Sequence, residues 1–285
     1  MADLPRENQR TITRPRLENR DPVRRALASI FRTDVLVAAF RTVPVGICLN
    51  PAVPEARAAW YSFGFMLRRA AAAVLDVATS ELEVGIQPLI NLTVPFAPPS
   101  AQVFICDTLE NGAGYSTHLA EPRRFEQLLS SLISPGTRER PSVYDYLMSD
   151  EHQGCLTSCR CLREFLNMSY HPLLDWRLGL DMARLALDDR AEIGFGRDYW
   201  QRLVAAVAPT YFRDLNLQAR QFGAVPGGID ATRNVAVILT HPLWDTNLIT
   251  GNFCPELAAA YAEAEQAGFT PRLHSIFRAA RFPYE

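Results

Sequence analysis

The chain contains no lysine, and all 29 of its basic residues are arginine. A compositional bias accounts for the absence, but its chemical consequences hold whatever its origin. The phosphate-gripping lysine of a Walker A loop, the strand lysine of a kinase, Schiff-base chemistry and the Ser-x-x-Lys hydrolases are all excluded. The motif lysine of the usual restriction-type nuclease core is missing too, and no helicase motor can be built from this chain. His-Glu-x-x-His, Gly-x-Ser-x-Gly and EF-hand patterns are also absent. No apolar run nears the ~18 residues of a membrane span, and the N-terminus is charged rather than signal-like. These absences lead to the expectation of a cytoplasmic protein with no membrane partner. A net charge of −2 gives no global pull on polyanions, so any nucleic-acid surface must be a local patch. Six unevenly spaced cysteines in 285 residues do not resemble a secreted disulfide framework.

What is present supports a real core. With 48% of its 285 residues apolar, the chain should bury on the order of three quarters of its unfolded surface, as one large domain or two small ones. Residues 1–25 carry seven arginines against four acids, broken by Pro5, Pro15 and Pro22. They read as an extended arm, solvated or laid on a partner or a phosphate backbone. Val35–Phe40 reads as a buried strand and Glu55–Ala78 as a helix, with Trp60, Phe63, Leu67, Ala71 and Val74 on one stripe. Arg57, Tyr61 and Arg68 share another face, with Arg69 beside them. That face is either a phosphate- or partner-contacting ridge or a set of ordinary snorkelling arginines.

Glu83–Val94 and Gln102–Thr108 read as strands, the second leading through Cys106 and Asp107 into Glu110-Asn-Gly-Ala-Gly-Tyr115. That loop can offer N–H groups to an anion, or simply pass close to a neighbouring backbone. Pro122–Ile133 reads as a helix, Tyr144–Met148 as a short turn, Tyr199–Val207 as a helix and Gln218–Asp230 as a glycine-rich linker. Asn234–Trp244 reads as a strand, and Leu257–Ala267 as a helix stopped by Gly268. His241 to Asp245 at that strand's end is a catalytic address or a capped strand end.

The most informative stretch is His152 to Asp181. Cys155, Cys159 and Cys161 lie within seven residues, with His152 three residues upstream, and a metal is the usual reason for such crowding inside a cell. Residues i and i+2 share a face only in extended backbone, so Cys159–Cys161 should be loop. A Cys159–His171 nucleophile pair is possible on composition, but three clustered thiols favour metal ligation or a structural role. Helix should follow, with Pro172 as its first residue and His171 as cap. Leu174, Leu178, Met182 and Leu185 would form its buried stripe. Arg177 with Asp181 and Arg184 with Asp188 would form i, i+4 pairs on a solvated face.

The combination Cys-x3-Cys-x-Cys-Leu-Arg-x3-Asn, then His-x2-Leu-Asp-Trp-Arg-Leu-Gly-Leu, preceded by Asp107 to Tyr115, resembles the MrfA-like zinc-binding domain. Thr33-Asp-Val-Leu36 and Ala56 to Ala72 resemble the same family in the same order. That module rides at the C-terminal end of MrfA-type and RecQ-like DNA helicases and occurs in motor-less companions such as the DrmB-type subunits of DISARM phage-defence systems. The resemblance implies a zinc ion on Cys155, Cys159, Cys161 and His152. The family pattern has Cys-x2-Cys where this chain has Cys159-x-Cys161, and Cys where it has Ser116. The fourth ligand is therefore His152, His118 or Cys106, or the site is degenerate.

The fold expected is α+β, with a mixed sheet flanked by helices, a small zinc-knuckle-like cysteine loop and a smaller C-terminal strand–helix lobe. Residues 1–32 would be the arm, 33–190 the zinc-binding domain and 191–285 the lobe or an extension. The expected function is that of a non-catalytic accessory subunit docking on a separately encoded DNA helicase or translocase and helping it grip DNA, in antiphage defence. Arg57, Arg68, Arg69, Arg160 and Arg163 are the candidate nucleic-acid or partner contacts. The alternative is a metal-dependent nuclease or hydrolase using Asp107 and His118 near the cysteine loop, together with His241.

Overall fold

In the computed structural model the described residues are 32–89, 99–149, His152, Cys155 and 160–282. The arginine-rich arm, residues 90–94 of the expected strand and Cys159 lie outside them, as does the side chain of Arg160. The central element is helix α1, Pro54–Leu75, started by a proline in its first turn and ended at Asp76 in the left-handed conformation. It was expected to bury one stripe, but Trp60, Phe63, Met66, Leu67, Ala70 and Ala71 are all at most 2% exposed. A helix buried on most sides has neighbours on most sides. Val74 alone leaves the expected stripe, exposed where the last turn emerges.

One flank of α1 lies on an antiparallel three-stranded sheet in the order β1 (Val35–Ala39), β3 (Ser100–Asp107), β2 (Leu82–Leu89). Central β3 alternates so that Ala101, Val103 and Ile105 face the core. β1 is an edge strand and only half-buried: Leu36 points inward while Val35 and Val37 are exposed. The expectation of a fully buried strand is thus corrected, because an edge strand with one covered face alternates.

Short α2 (Tyr115–Leu119) precedes α3 (Pro122–Ile133), which lies where it was expected and is N-capped by Glu121. α4 (Val143–Met148) is a helical turn with a Ser142–Asp145 capping box. α5 runs Trp176–Leu187 and crosses α1 closely. A β-carbon on Gly179 would sit 2.2 Å from the Met66 sulfur. Pro172 does not start this helix. Asp175 caps it by accepting from the Arg177 N–H, and residues 165–170 form a separate 3₁₀ turn. An aspartate at the N-cap, three residues after Pro172, outcompetes the proline signal.

After α6 (Asp198–Asp214) comes a second sheet, in the order β4 (Gln218–Phe222), β5 (Val225–Asp230), β6 (Val235–Thr240), β7 (Thr270–Ser275). The glycine-rich linker expected at 218–230 is in fact a hairpin turning at Gly223. β6 and β7 pair in parallel, joined through helix α7 (Pro255–Gln266), so the mixed sheet is the C-terminal one. α8 (Ile276–Arg281) closes the described chain.

The fold is α+β, and residues 32–285 form one compact unit. Ion pairs tie early and late segments together. Arg278 lies 2.6 Å from Glu55, and Arg281 lies 3.0 Å from Asp175. No described helix is long and apolar enough to cross a membrane.

Candidate metal loop and docking surface

The described residues between His152 and His171 are tied down by side chains of neighbouring helices. Arg69 on α1 donates to the Cys161 carbonyl at 2.6 Å, with its guanidinium 4.0 Å from the Tyr146 ring centroid. Tyr146 in turn lies 4.1 Å from the His152 ring. Arg177, 1% exposed, donates to the Cys155 carbonyl at 2.5 Å and to the Tyr199 carbonyl at 3.3 Å. Arg68, 4% exposed, pairs with Glu164 at 2.6 Å. Buried Asn167 accepts from the Glu164 N–H and donates to the Leu162 carbonyl, while His171 Nε2 donates to Asn167 Oδ1 at 2.9 Å.

These contacts correct the expected arginine ridge. A guanidinium has five donors in a planar fork and is weakly hydrated, so it can be buried where carbonyls and a carboxylate meet it. Arg68 and Arg69 face the cysteine segment, not solvent, and Arg57 alone of the expected ridge arginines is exposed. Arg163 is half-buried, with its Nε buried and unpartnered among the described residues.

The donor chemistry for a metal is partly present. Cys161 is 2% exposed, Cys155 is half-buried, and His152, 9% exposed, has a buried Nδ1 with no hydrogen-bond partner among the described residues. Thiolate and imidazole donors suit zinc. Among the described residues, however, no three His, Cys, Asp or Glu side chains converge into a group that could hold an ion. Neither alternative fourth ligand completes one. Burial, reinforced by Glu83 and Asp107, pushes the Cys106 thiol up towards the protonated form, and His118 is exposed against the guanidinium of Arg124.

The glycine loop after β3 does bind an anion, and the anion is Asp107. Its carboxylate accepts from the N–H groups of Ala113 (2.8 Å), Tyr115 (3.0 Å) and Ser116 (2.9 Å) and from the Ser116 hydroxyl (2.7 Å). Positive φ at Gly112 and Gly114 aims those amides inward. Burial alone would raise the Asp107 pKa, but the Ser116, Ala113 and Tyr115 hydrogen bonds together hold it below the usual carboxylate range. Four donors fill the ~four lone-pair sites of a carboxylate. None is left for a metal or a catalytic water.

The pairs expected on a solvated face of α5 are also rearranged. Asp181 is 2% exposed and accepts from the Tyr199 hydroxyl (2.6 Å), Trp200 Nε1 (2.7 Å) and His241 Nε2 (3.1 Å), while Arg177 turns to Asp175. His241 is fully buried. Its Nδ1 accepts from the Leu243 N–H and its Nε2 meets Asp181, contacts that suit a capped strand end.

Two features escaped the sequence reading. Phe165, Leu166 and Met168 are 79%, 64% and 55% exposed on the turn that follows the cysteines. Leu162, Phe165 and Leu166 have the i, i+3, i+4 spacing of one apolar face, but Leu162 is buried while Phe165 and Leu166 face outward from the 3₁₀ turn. A cavity of about 290 Å³ between α5 and the start of α6 is lined by Arg184, Arg197 and Arg202. Its arginines come from two helices, so no local motif announces it. Compared with family models, with curated proteins and with solved structures, the chain matches none of them.

Proposed function

We propose that this chain is a non-catalytic accessory subunit that docks on a separately encoded DNA helicase or translocase and contributes arginine-borne affinity for DNA, in antiphage defence. The observation that carries the reading is an anchored apolar tip. Phe165, Leu166 and Met168 project from a segment pinned by Arg68, Arg69 and Arg177. Ordered, exposed apolar side chains are already preorganised, so a partner that covers them loses little entropy. The resemblance to the MrfA-like zinc-binding domain supplies the motor as the partner. Within this reading, Cys155, Cys159, Cys161 and His152 hold a structural zinc that would fix the loop's shape.

The competing nuclease or hydrolase reading needs Asp107 and His118 free for chemistry. The Asp107 carboxylate is occupied by four hydrogen bonds, and His118 lies against Arg124.

The test is co-expression with any helicase or translocase encoded in the chain's native operon, followed by size-exclusion chromatography. The wild type should co-elute with the helicase. A Phe165→Ser/Leu166→Ser/Met168→Ser variant should elute alone while melting at the wild-type temperature. Metal analysis of protein purified without chelator should give one zinc per chain, lost in Cys155→Ser/Cys161→Ser. Turnover of a substrate by the isolated chain, abolished by Asp107→Asn or His241→Gln in a folded protein, would overturn the proposal.

A further inference from the structure

Arg184 on α5 and Arg197 and Arg202 at the start of α6 line the cavity of about 290 Å³, with Asp198 as the only carboxylate in its wall. Three guanidinium groups against one carboxylate leave a local excess of two positive charges. The cavity also opens on the N-terminus of α6, a helix of 17 residues whose first turn has no side-chain cap. The dipole and the free amides of such an end favour an anion. A second, independent feature lies in the same wall. Trp176 is 1% exposed, and its indole Nε1 is buried without a hydrogen-bond partner among the described residues, as is Nη1 of Arg184. Buried donors are nearly always satisfied, and an oxyanion in the cavity would supply the acceptor that both lack.

We propose that this cavity binds a phosphate-bearing ligand of nucleotide size, gripped by Arg184, Arg197 and Arg202 at the positive end of α6. Guanidinium forks match phosphate oxygens in pairs, which makes phosphate a better fit than a carboxylate of similar charge. The volume sits at the small end of ligand sites, near about 300 Å³, so one nucleotide is accommodated and a dinucleotide cofactor is not. Half-buried Tyr144 in the wall provides an aromatic neighbour for a base. The phosphate can come from a free nucleotide or from one unit of a single strand. This deepens the DNA-binding part of the proposed function and rests on it only for that source.

Calorimetry on the full chain at constant ionic strength would use three probes: inorganic phosphate, adenosine 5′-monophosphate and a single-stranded oligonucleotide. The variants are Arg197→Ala/Arg202→Ala and, as a second check, Arg202→Glu. Arg213→Ala, an exposed arginine at the far end of α6, controls for bulk charge. Binding of the monophosphate or the oligonucleotide should weaken at least tenfold in both cavity variants and stay within twofold in the control. For the oligonucleotide, losing two arginine contacts should also lower the slope of log affinity against log salt by about 1.4, twice the ~0.7 per contact of a single strand. Competition by the monophosphate identifies a free nucleotide as a sufficient ligand, and binding of the strand alone identifies a strand site. Failure of all three probes to bind at millimolar concentration overturns the proposal, and so does an equal loss in the Arg213 control. Neither result bears on helicase docking, which is read by co-elution.

Discussion

Asp175 sits where the helix cap, the cysteine loop and the C-terminal helix meet, and its charge can be removed almost without changing its shape. It is fully buried, caps α5 through the Arg177 N–H at 3.1 Å, and faces Arg177 Nη1 at 3.2 Å and Arg281 Nη2 at 3.0 Å. Both guanidiniums are themselves buried, at 1% and 6% side-chain exposure. Asparagine caps helices as well as aspartate does, so Asp175→Asn isolates the charge. It would remove the carboxylate charge that both buried guanidiniums face. Breaking a buried ion pair by removing one partner costs about 3–5 kcal/mol, a large part of the about 5–15 kcal/mol that holds a domain folded. At a urea m-value of about 3 kcal/mol/M, the midpoint should fall by roughly 1–1.7 M.

Arg281→Met provides the internal control. It leaves the Arg177–Asp175 pair balanced, so it should cost less than Asp175→Asn. Combined with Asp175→Asn, it should relieve part of the uncompensated charge. The double variant should therefore be more stable than the sum of the singles by about 0.5–3 kcal/mol, the range for residues in one network. Equilibrium urea unfolding followed by tryptophan fluorescence measures all three. A cost below about 1 kcal/mol for Asp175→Asn, or additivity within about 0.5 kcal/mol, would show that solvent or rearrangement neutralises the site and that the electrostatic argument is wrong.

Three further outcomes are expected. Asp107→Asn should cost on the order of 1.5–3 kcal/mol, because hydrogen bonds to a charged acceptor are exchanged for bonds to a neutral one. Since the folded pKa of Asp107 is lowered, its contribution is present above the unfolded value of about 3.9 and lost as pH falls through the folded value. The variant's urea midpoint should accordingly vary less below pH 4 than the wild type's. Burial, and then the charge of Arg278, hold the His274 imidazole below its usual range. Its contribution is complete above about pH 6.5 and lost as pH falls towards the folded value. His274→Phe keeps the stack on Tyr211 and should flatten the stability profile below pH 6.5; an unchanged slope would assign it elsewhere. Arg69→Met removes the tether to the Cys161 carbonyl and should cost about 1.5–3 kcal/mol, with limited proteolysis near residues 152–161 accelerating at least tenfold.

Where the sequence was legible, a strong local period met a matching tertiary site. Pro122–Ile133 is a helix where the spacing put it, and Leu174, Leu178, Met182 and Leu185 are buried as the stripe required, although α5 buries most of its other side chains as well. The hairpin at 218–230 was hidden by its own glycines. In the structure they serve close packing, since a β-carbon on Gly227 or Gly228 would meet the Phe222 or Phe212 ring within 3 Å. β7 was missed because Pro271 demotes a strand signal, and its parallel pairing to β6 is a long-range fact that no local pattern carries. At the site, Asp181 and His241 are 60 residues apart, so the sequence suggested two unrelated side chains where the fold builds one cluster. Arg177 and Asp181 were matched by helical spacing. The direction each side chain takes was decided by Asp175 and Tyr199, which spacing cannot reveal.

The lysine-free composition has a structural counterpart that the motif exclusions do not suggest. Arg68, Arg69, Arg177 and Arg281 all turn inward, and three of them donate to backbone carbonyls: Cys161 for Arg69, Cys155 for Arg177 and Leu174 for Arg281. A buried ammonium has three donors around a compact, strongly hydrated charge and tends to lose its proton when buried, whereas a guanidinium keeps its charge and spreads five donors over several acceptors. The carbonyls of Cys155 and Cys161, at either side of the thiol cluster, are thus each held by a guanidinium rooted in a helix. These two tethers owe nothing to a metal, in contrast to a zinc finger, which has no fold without its ion. The inward arginines fix the tip that carries Phe165, Leu166 and Met168. The outward ones, Arg197 and Arg202 beside Arg184, retain the charge that a phosphate would meet.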